Sequence, residues 1–111
     1  MKKSYKFSEM SEEHRWEIAK NLGEATAKKT RWEFSPKFPT EEAVAIADDV
    51  YVMISERRVK DVVLGLEAGY EFRPILIDTL DERGPWMEGI HRSTAAVELG
   101  RKTVPAFVRV E

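Results

Sequence analysis

Residues 88–96 read EGIHRSTAA, and they say more about the fold than any other part of the 111-residue chain. A short apolar strand pattern precedes this segment and a helical pattern follows it, so its glycine lies between a strand and a helix. Unpaired N–H groups at the start of a helix attract anions, and the helix dipole adds to that attraction. The segment therefore predicts a phosphate site at a helix start.

The polar side chains of this segment suit such a site. Arg92 can pair two N–H groups with phosphate oxygens, and His91 can donate a hydrogen bond from an imidazole nitrogen. Ser93 and Thr94 offer hydroxyl donors, and Gly89 lets a ligand approach the backbone closely. The structural alternative is that Ser93 or Thr94 only caps the helix and that Arg92 forms a surface ion pair. These residues alone leave both interpretations open.

The second half of the chain resembles the ParB/sulfiredoxin-like superfamily, over about residues 58–110. The matching features, in chain order, are the helical pattern of 58–66, Gly69, the strand pattern of 73–77, Gly-Ile-His-Arg at 89–92, Ala95-Ala96, Gly100 and Thr-Val-Pro at 103–105. The resemblance implies a small α+β nucleotide-binding fold. In that superfamily the Gly-x-His-Arg turn holds the phosphates of ATP, ADP or CTP, usually with magnesium.

Transferred residue by residue, the resemblance implies a phosphate cradle of Gly89, His91 and Arg92. Arg58 lies where sulfiredoxins have a nucleotide-contacting lysine, and Arg73, just before a predicted strand, is a further candidate. The resemblance thus implies a nucleotide or a phosphorylated small molecule as the partner.

The chain departs from the superfamily pattern at three places. Sulfiredoxins have their catalytic cysteine at the position of Ile90, and isoleucine has no nucleophilic atom, so sulfiredoxin chemistry is excluded. The helix hydroxyls that help sulfiredoxins bind ATP fall on Asp61 and Gly65, and Asp61 would repel phosphate unless a metal ion lay between them. ParB proteins continue into a helix-turn-helix domain, which has no counterpart before Glu111, so operator binding is not expected.

An enzyme of this kind would catalyse magnesium-dependent phosphoryl transfer or nucleotide hydrolysis. Glu88 adjoins the cradle and is the candidate catalytic group, because it could orient Arg92 or a metal ion or act as a general base. A structural salt bridge is the competing interpretation of Glu88. No residue is assigned as a metal ligand.

Composition limits the remaining function classes. The net charge of −2 gives no basic field that would draw the protein onto nucleic acid. The absence of cysteine excludes disulfides, thiolate nucleophiles and iron–sulfur clusters, and it fits a cytoplasmic location. No apolar run exceeds five residues and no signal peptide is recognisable, so no membrane partner is expected.

The predicted architecture is a single α+β domain, with a small mixed sheet and packed helices. Residues 1–50 are expected to form a helical N-terminal extension and residues 51–111 the ParB/sulfiredoxin-like core. The predicted elements are a helix from Ser8 or Ser11 to Lys29, an extended connector at 30–39, a helix from Thr40 to about Asp49, a short strand at 50–54, a helix at about 56–67, strands at 73–78 and 86–88, a helix at 93–99 and a strand at 104–110.

The alternative function is a non-catalytic module that keeps this fold and binds a protein or a nucleic acid through residues 1–50. Its candidate surface is the aromatic set Trp16, Trp32, Phe34 and Phe38, which would instead pin the connector onto the core if it were buried. His14 is expected on an exposed helix face.

Overall fold

The computed structural model describes residues 3–49 and 54–111, and within them it has an α+β fold around a five-stranded mixed sheet. The strands are β1 (Ser4–Lys6), β2 (Arg31–Pro39), β3 (Ile75–Asp78), β4 (Trp86–Glu88) and β5 (Thr103–Arg109). The helices are α1 (Glu12–Leu22), α2 (Glu24–Ala27), α3 (Thr40–Asp49), α4 (Glu56–Glu67) and α5 (Ile90–Glu98), with a 3-10 turn at Phe7–Glu9. The predicted fold class, α+β with a small mixed sheet, is confirmed.

The strand order is β1-β2-β5-β3-β4. Strand β5 pairs in parallel with β3 and antiparallel with β2, and the two edge strands are antiparallel to their neighbours. Strand β3 shows the two-sided burial of a central strand, because Ile75 and Ile77 pack into one core cluster and Leu76 into the other. Side chains alternate between the faces of a strand, so the two clusters lie on opposite faces of the sheet.

Helices cover both faces. The first cluster contains residues of α3 and α5 and is joined by Leu66 of α4, whereas the second contains Ile18 of α1 and Ala27 of α2. Ser11 caps α1 and Ser55 caps α4, each through a hydroxyl that accepts a hydrogen bond from a backbone N–H of the first turn. The predicted helix to Lys29 is instead broken at Gly23, whose φ of 80° no helix contains.

The segment predicted as a helical extension is part of the sheet. Strands β1 and β2 belong to it, and β2, predicted as an extended connector, bonds to β1 on one side and β5 on the other. Its internal proline is accommodated because the register between β2 and β5 shifts between Ser35 and Phe38, so Pro36 lies where no ladder hydrogen bond is needed. Trp32 is completely buried in this strand.

Several element boundaries also differ from the prediction. Helix α5 begins at Ile90 rather than Ser93, and strand β3 begins at Ile75 rather than Arg73. The short strand predicted at 50–54 falls mostly on residues 50–53, which lie outside the described residues. Among the helices of the described residues, none has both the length and the apolar character needed to cross a membrane.

Candidate functional site: a cleft at the start of helix α5

A cleft of about 410 Å³ lies where the start of α5 faces helices α1 and α4. Its lining residues are Glu17, Arg58, Asp61, Val62, Arg73, Glu88, Gly89, His91 and Arg92. Six of the eight residues predicted for the site therefore meet in one cleft, although they come from three separate stretches of the chain. We call this space the α5 cleft.

Gly89 shapes the turn into α5. Its φ is 110°, a conformation that side chains with a Cβ rarely adopt. A Cβ at this position would lie 2.5 Å from Cγ2 of Ile75 and 2.8 Å from the guanidinium of Arg92. As the N-cap residue it has no side chain to occupy the N–H groups of the first turn, and Gly89, His91 and Arg92 all line the α5 cleft.

Arg92 is held by the backbone in front of β3. One terminal nitrogen donates to the carbonyl oxygens of Arg73, at 2.8 Å, and of Pro74, at 3.2 Å. Its other terminal nitrogen lies 4.0 Å from Oε2 of Glu17, and only 13% of the side chain is exposed. Burial, with the nearby charge of Arg73, lowers the pKa of Arg92 to about 10. Arg92 therefore fixes α5 against the sheet through one terminal nitrogen, and its other terminal nitrogen faces Glu17.

Arg73 also forms internal ion pairs, both with carboxylates of α1. One terminal nitrogen contacts Glu13 at the surface, and the other lies 3.2 Å from Oε1 of Glu17. The Arg73 side chain is partly exposed and lines the α5 cleft. Arg73 thus lies in the same cleft as the other predicted residues, and its charge is already shared with carboxylates of α1.

Three lining residues, Glu17, Asp61 and Val62, are absent from the predicted site, and of these Glu17 is the buried one. Its side chain is 8% exposed, and it lies at the helical spacing of the buried face of α1, with His14 and Ile18. A carboxylate on the buried stripe of a helix is unusual, because burying a charge is costly unless it is paired. The position of Glu17 on the buried stripe of α1 was the sequence signal from which it could have been found.

Glu88 is in the cleft but is engaged from α1. Its Oε1 accepts a hydrogen bond from the Nδ2 of Asn21 at 2.9 Å and lies 3.0 Å from Nζ of Lys20. This is the structural salt bridge that competed with the catalytic interpretation. It leaves Oε2 as the oxygen of Glu88 that can face a ligand.

His91 lines the cleft, and its ring has one nitrogen that can act as a donor. Its Nε2 accepts a hydrogen bond from the backbone N–H of Ser55 at 3.0 Å, so the neutral ring has its proton on Nδ1. Partial burial, and then the nearby Arg58, lower the pKa of His91. The exposed guanidinium of Arg58 forms no ion pair with any residue in 3–49 or 54–111, so it is available to a ligand.

Ser93 and Thr94 do not line the cleft. Because α5 begins at Ile90, both fall beyond the N–H groups that a cap would satisfy. Ser93 is fully buried, and its hydroxyl has no partner among the described residues. The hydroxyl of Thr94 donates to the carbonyl oxygen of Ile90 at 2.9 Å, within the helix. Their predicted contact with phosphate finds no support in this geometry.

His14, expected at the surface, is buried against the sheet. Its Nε2 lies 2.9 Å from the carbonyl oxygen of Pro74, to which it donates, and its Nδ1 lies 3.0 Å from Oγ of Ser11. Burial is the main cause that lowers the pKa of His14. The same Pro74 carbonyl oxygen accepts a hydrogen bond from Arg92, so side chains of α1 and α5 both donate to one backbone oxygen.

The described residues do not fit a protein-built magnesium site. None of them form a group of three or more histidine, aspartate or glutamate side chains placed to hold a metal ion. Within the α5 cleft, Glu17 faces two guanidinium groups and Glu88 faces Lys20, and Asp61 of α4 is the third carboxylate of the lining. Comparisons of the chain with protein-family models, with curated proteins and with solved structures found no match.

Proposed function

We propose that this chain is a ParB/sulfiredoxin-like domain that binds the phosphate group of a nucleotide or another phosphorylated small molecule in the α5 cleft. The observation that carries the proposal is the convergence of Arg58, His91 and the first turn of α5 on one cleft. These residues carry three kinds of donor: an exposed guanidinium, an imidazole N–H and the backbone N–H groups of a helix start. Each of them is a known partner of phosphate oxygens.

The ion pairs inside the cleft indicate that its three arginines have different roles. Arg73 and Arg92 are already paired with carboxylates or carbonyl oxygens, so their charges are largely balanced within the protein. Arg58 has no such partner in the described part of the chain, and it faces the cleft from the first turn of α4. Arg58 is thus the arginine that contacts the phosphate, while Arg92 positions the turn.

Under this proposal the protein binds the phosphorylated ligand, and if it is an enzyme it also converts that ligand. The reaction class would be phosphoryl transfer or nucleotide hydrolysis, as the resemblance implies. Glu88 would have to accept a proton through Oε2, because Asn21 and Lys20 occupy Oε1. A cytoplasmic location stays a prediction from composition.

The first experiment is a thermal-shift panel of ATP, ADP, CTP, GTP and AMP, with and without magnesium. A ligand at 100 times its dissociation constant adds about 2.7 kcal/mol to the free energy of unfolding, which raises the Tm of a domain this size by several degrees. Arg58→Gln is expected to weaken binding about tenfold or more, because a charge-assisted hydrogen bond is lost. Arg57→Gln is the matched control, since Arg57 is exposed on the same helix and lies outside the cleft.

A stabilising ligand whose affinity falls in Arg58→Gln but not in Arg57→Gln supports the proposal. Equal affinities in the two variants would remove Arg58 from the site. If no phosphate compound raises the Tm, the non-catalytic module becomes the better hypothesis. Its predicted aromatic surface is reduced to Trp16, which is 65% exposed, because Trp32 is buried and Phe34 and Phe38 pack onto neighbouring residues of the fold.

A further inference from the structure

A second cavity adjoins the α5 cleft along helix α4. Its volume is about 290 Å³, and the two spaces share the lining residues Asp61, Val62, Arg73 and Arg92. Its other lining residues are Gly65, Leu66, Tyr70, Glu71 and Phe72, and we call it the Tyr70 pocket. Because the two spaces have common walls, a molecule bound in the α5 cleft can extend into the Tyr70 pocket.

The end of α4 places Tyr70 beside its own helix. The backbone N–H of Tyr70 donates to the carbonyl oxygen of Gly65 at 3.0 Å, and that of Gly69 donates to the carbonyl oxygen of Leu66 at 3.1 Å. This pair of hydrogen bonds is the Schellman motif, which turns the chain back at the end of a helix. The Tyr70 ring consequently lies next to Gly65, because a Cβ on Gly65 would be 3.1 Å from Cδ2 of Tyr70.

Gly65 leaves open space beside that ring. It lies inside α4, and it does not have the positive φ that favours glycine at Gly89. Glycine inside a helix destabilises the helix relative to alanine, so the backbone gives no reason for this residue. Outside the backbone of α4, a Cβ here would meet only the Tyr70 ring within 4 Å among residues 3–49 and 54–111. The absence of a side chain at Gly65 therefore keeps the Tyr70 pocket open.

The Tyr70 ring has no partner in the described part of the chain. The residue is 76% exposed, and its side chain forms no hydrogen bond, cation–π contact or ring contact with residues 3–49 or 54–111. The neighbouring walls formed by Leu66 and Phe72 are apolar, and both residues belong to the packing of the first core cluster. An exposed aromatic side chain beside an apolar wall is a surface on which a second ring can stack.

Charge distinguishes the two spaces. Among the described residues that line the Tyr70 pocket but not the α5 cleft, Glu71 is the one with a charged side chain. A carboxylate repels phosphate, whereas the exposed guanidinium of Arg58 in the α5 cleft attracts it. The phosphate of a ligand that spans both spaces therefore belongs in the α5 cleft, and a neutral apolar group belongs in the Tyr70 pocket.

We propose that the Tyr70 pocket holds an aromatic ring of the molecule whose phosphate is bound in the α5 cleft, and that Tyr70 stacks on this ring. Arg58 and Gly65 lie on the same face of α4, and the helix rises by about 10 Å between them, so a spacer joins the phosphate to the ring. The ligand class is then a phosphate ester with an aromatic ring on a spacer, a chemistry that nucleotides share with arylalkyl phosphates. This inference rests on the proposed function of the α5 cleft.

The test compares ligands with and without the ring by isothermal titration calorimetry. The nucleotide arm uses AMP and ribose 5-phosphate, and the arylalkyl arm uses 3-phenylpropyl phosphate and propyl phosphate. In the wild-type protein, the ring-bearing ligand is expected to bind about tenfold more tightly or better, the usual effect of one stacked ring. The arm that shows this preference identifies the source of the ring.

Two pairs of variants locate the ring. Gly65→Leu fills the Tyr70 pocket, whereas Ala68→Leu adds the same side chain at an exposed position outside both cavities. Tyr70→Ala removes the stacking surface, whereas Leu64→Ala removes an exposed apolar side chain of α4 outside both cavities. Gly65→Leu and Tyr70→Ala should abolish the preference for the ring and leave the affinity for the ring-free ligand unchanged. Tyr70→Ala changes an exposed side chain, so it serves if Gly65→Leu does not fold.

The possible outcomes separate the two proposals. A ring preference that disappears in Gly65→Leu and Tyr70→Ala and persists in both control variants supports the assignment. Equal affinity for ring-bearing and ring-free ligands, or a preference that survives in Gly65→Leu and Tyr70→Ala, refutes the role of the Tyr70 pocket while phosphate binding stands. If no phosphate compound binds in either arm, the proposed function fails and this inference fails with it.

Discussion

Replacing Gly89 with alanine tests whether the turn into α5 is as tightly packed as the structure shows. The added Cβ would meet Cγ2 of Ile75 at 2.5 Å and the Arg92 guanidinium at 2.8 Å, both well inside van der Waals contact. Ile75 is fully buried in a central strand, so it cannot simply move aside. The variant must therefore shift β3, α5 or the Arg92 side chain.

The size of the effect follows from two separate costs. A residue with a Cβ at φ 110° carries about 1–3 kcal/mol of backbone strain. Overpacking against a buried side chain adds about 1–3 kcal/mol. The Gly89→Ala variant should thus lose about 2–6 kcal/mol of its free energy of unfolding, a large part of the 5–15 kcal/mol that small domains have.

Gly84→Ala is the control that separates these costs. Gly84 has a φ of 116°, close to that of Gly89, but a Cβ there would meet nothing within 4 Å. Urea denaturation gives the loss in free energy of unfolding for each variant. The difference between the two losses is the cost of the overlap with Ile75 and Arg92. If Gly89→Ala loses no more stability than Gly84→Ala, the close approach of these side chains to the turn is refuted.

Two further predictions concern the surroundings of the cleft. Arg92→Ala should cost about 3–5 kcal/mol, measured by urea denaturation, because it removes a charge partner of the buried Glu17 and the donor to two carbonyl oxygens. Arg57→Ala, at an exposed position outside the cleft, should change the free energy of unfolding by at most about 0.5 kcal/mol, and equal losses would contradict the anchoring role of Arg92. The lowered pKa values of His14 and His91 mean that the unfolded chain binds protons first as the pH falls below 6.5, so the stability conferred by the neutral rings is present above that pH and is lost below it. The Tm should therefore fall between about pH 7.5 and about pH 5.5, and His14→Gln should flatten that fall; an unchanged slope would contradict the burial of this ring.

Elements with strong local signals were predictable from the sequence. The spacing of Val59, Val62, Val63 and Leu66, with Ser55 as cap, predicted helix α4 with the bounds that the structure has. The strand at Trp86–Glu88 was also predicted with its observed bounds. In both cases the signals lie in the element or beside it in the sequence: the hydrophobic period and the Ser55 cap for α4, and the neighbouring Gly84 and Gly89 for β4. No distant part of the chain is needed to define either element.

Strand β2 was missed because its evidence is non-local. Two prolines in ten residues indicate a connector, and only the pairing with β5 shows that the register shift between Ser35 and Phe38 accommodates Pro36. The same is true of Glu17, whose partners Arg73 and Arg92 lie far along the chain. Ser93 and Thr94 were misplaced for a different reason: α5 starts at a glycine that has no capping side chain, so the hydroxyls indicated a later start.

The contacts of the cleft separate residues that hold the fold from residues that face the ligand. Arg92 donates to backbone carbonyl oxygens and pairs with Glu17, so its substitution changes stability and ligand affinity together. Arg58 is exposed and has no ion-pair partner in the described part of the chain, so its substitution should change affinity alone. A phosphate entering the α5 cleft adds negative charge near Glu17, and the uncommitted cation of Arg58 is the group that can offset it. Loss of phosphate binding in an Arg92 variant would consequently report on the turn, whereas the same loss in an Arg58 variant would report on the contact itself.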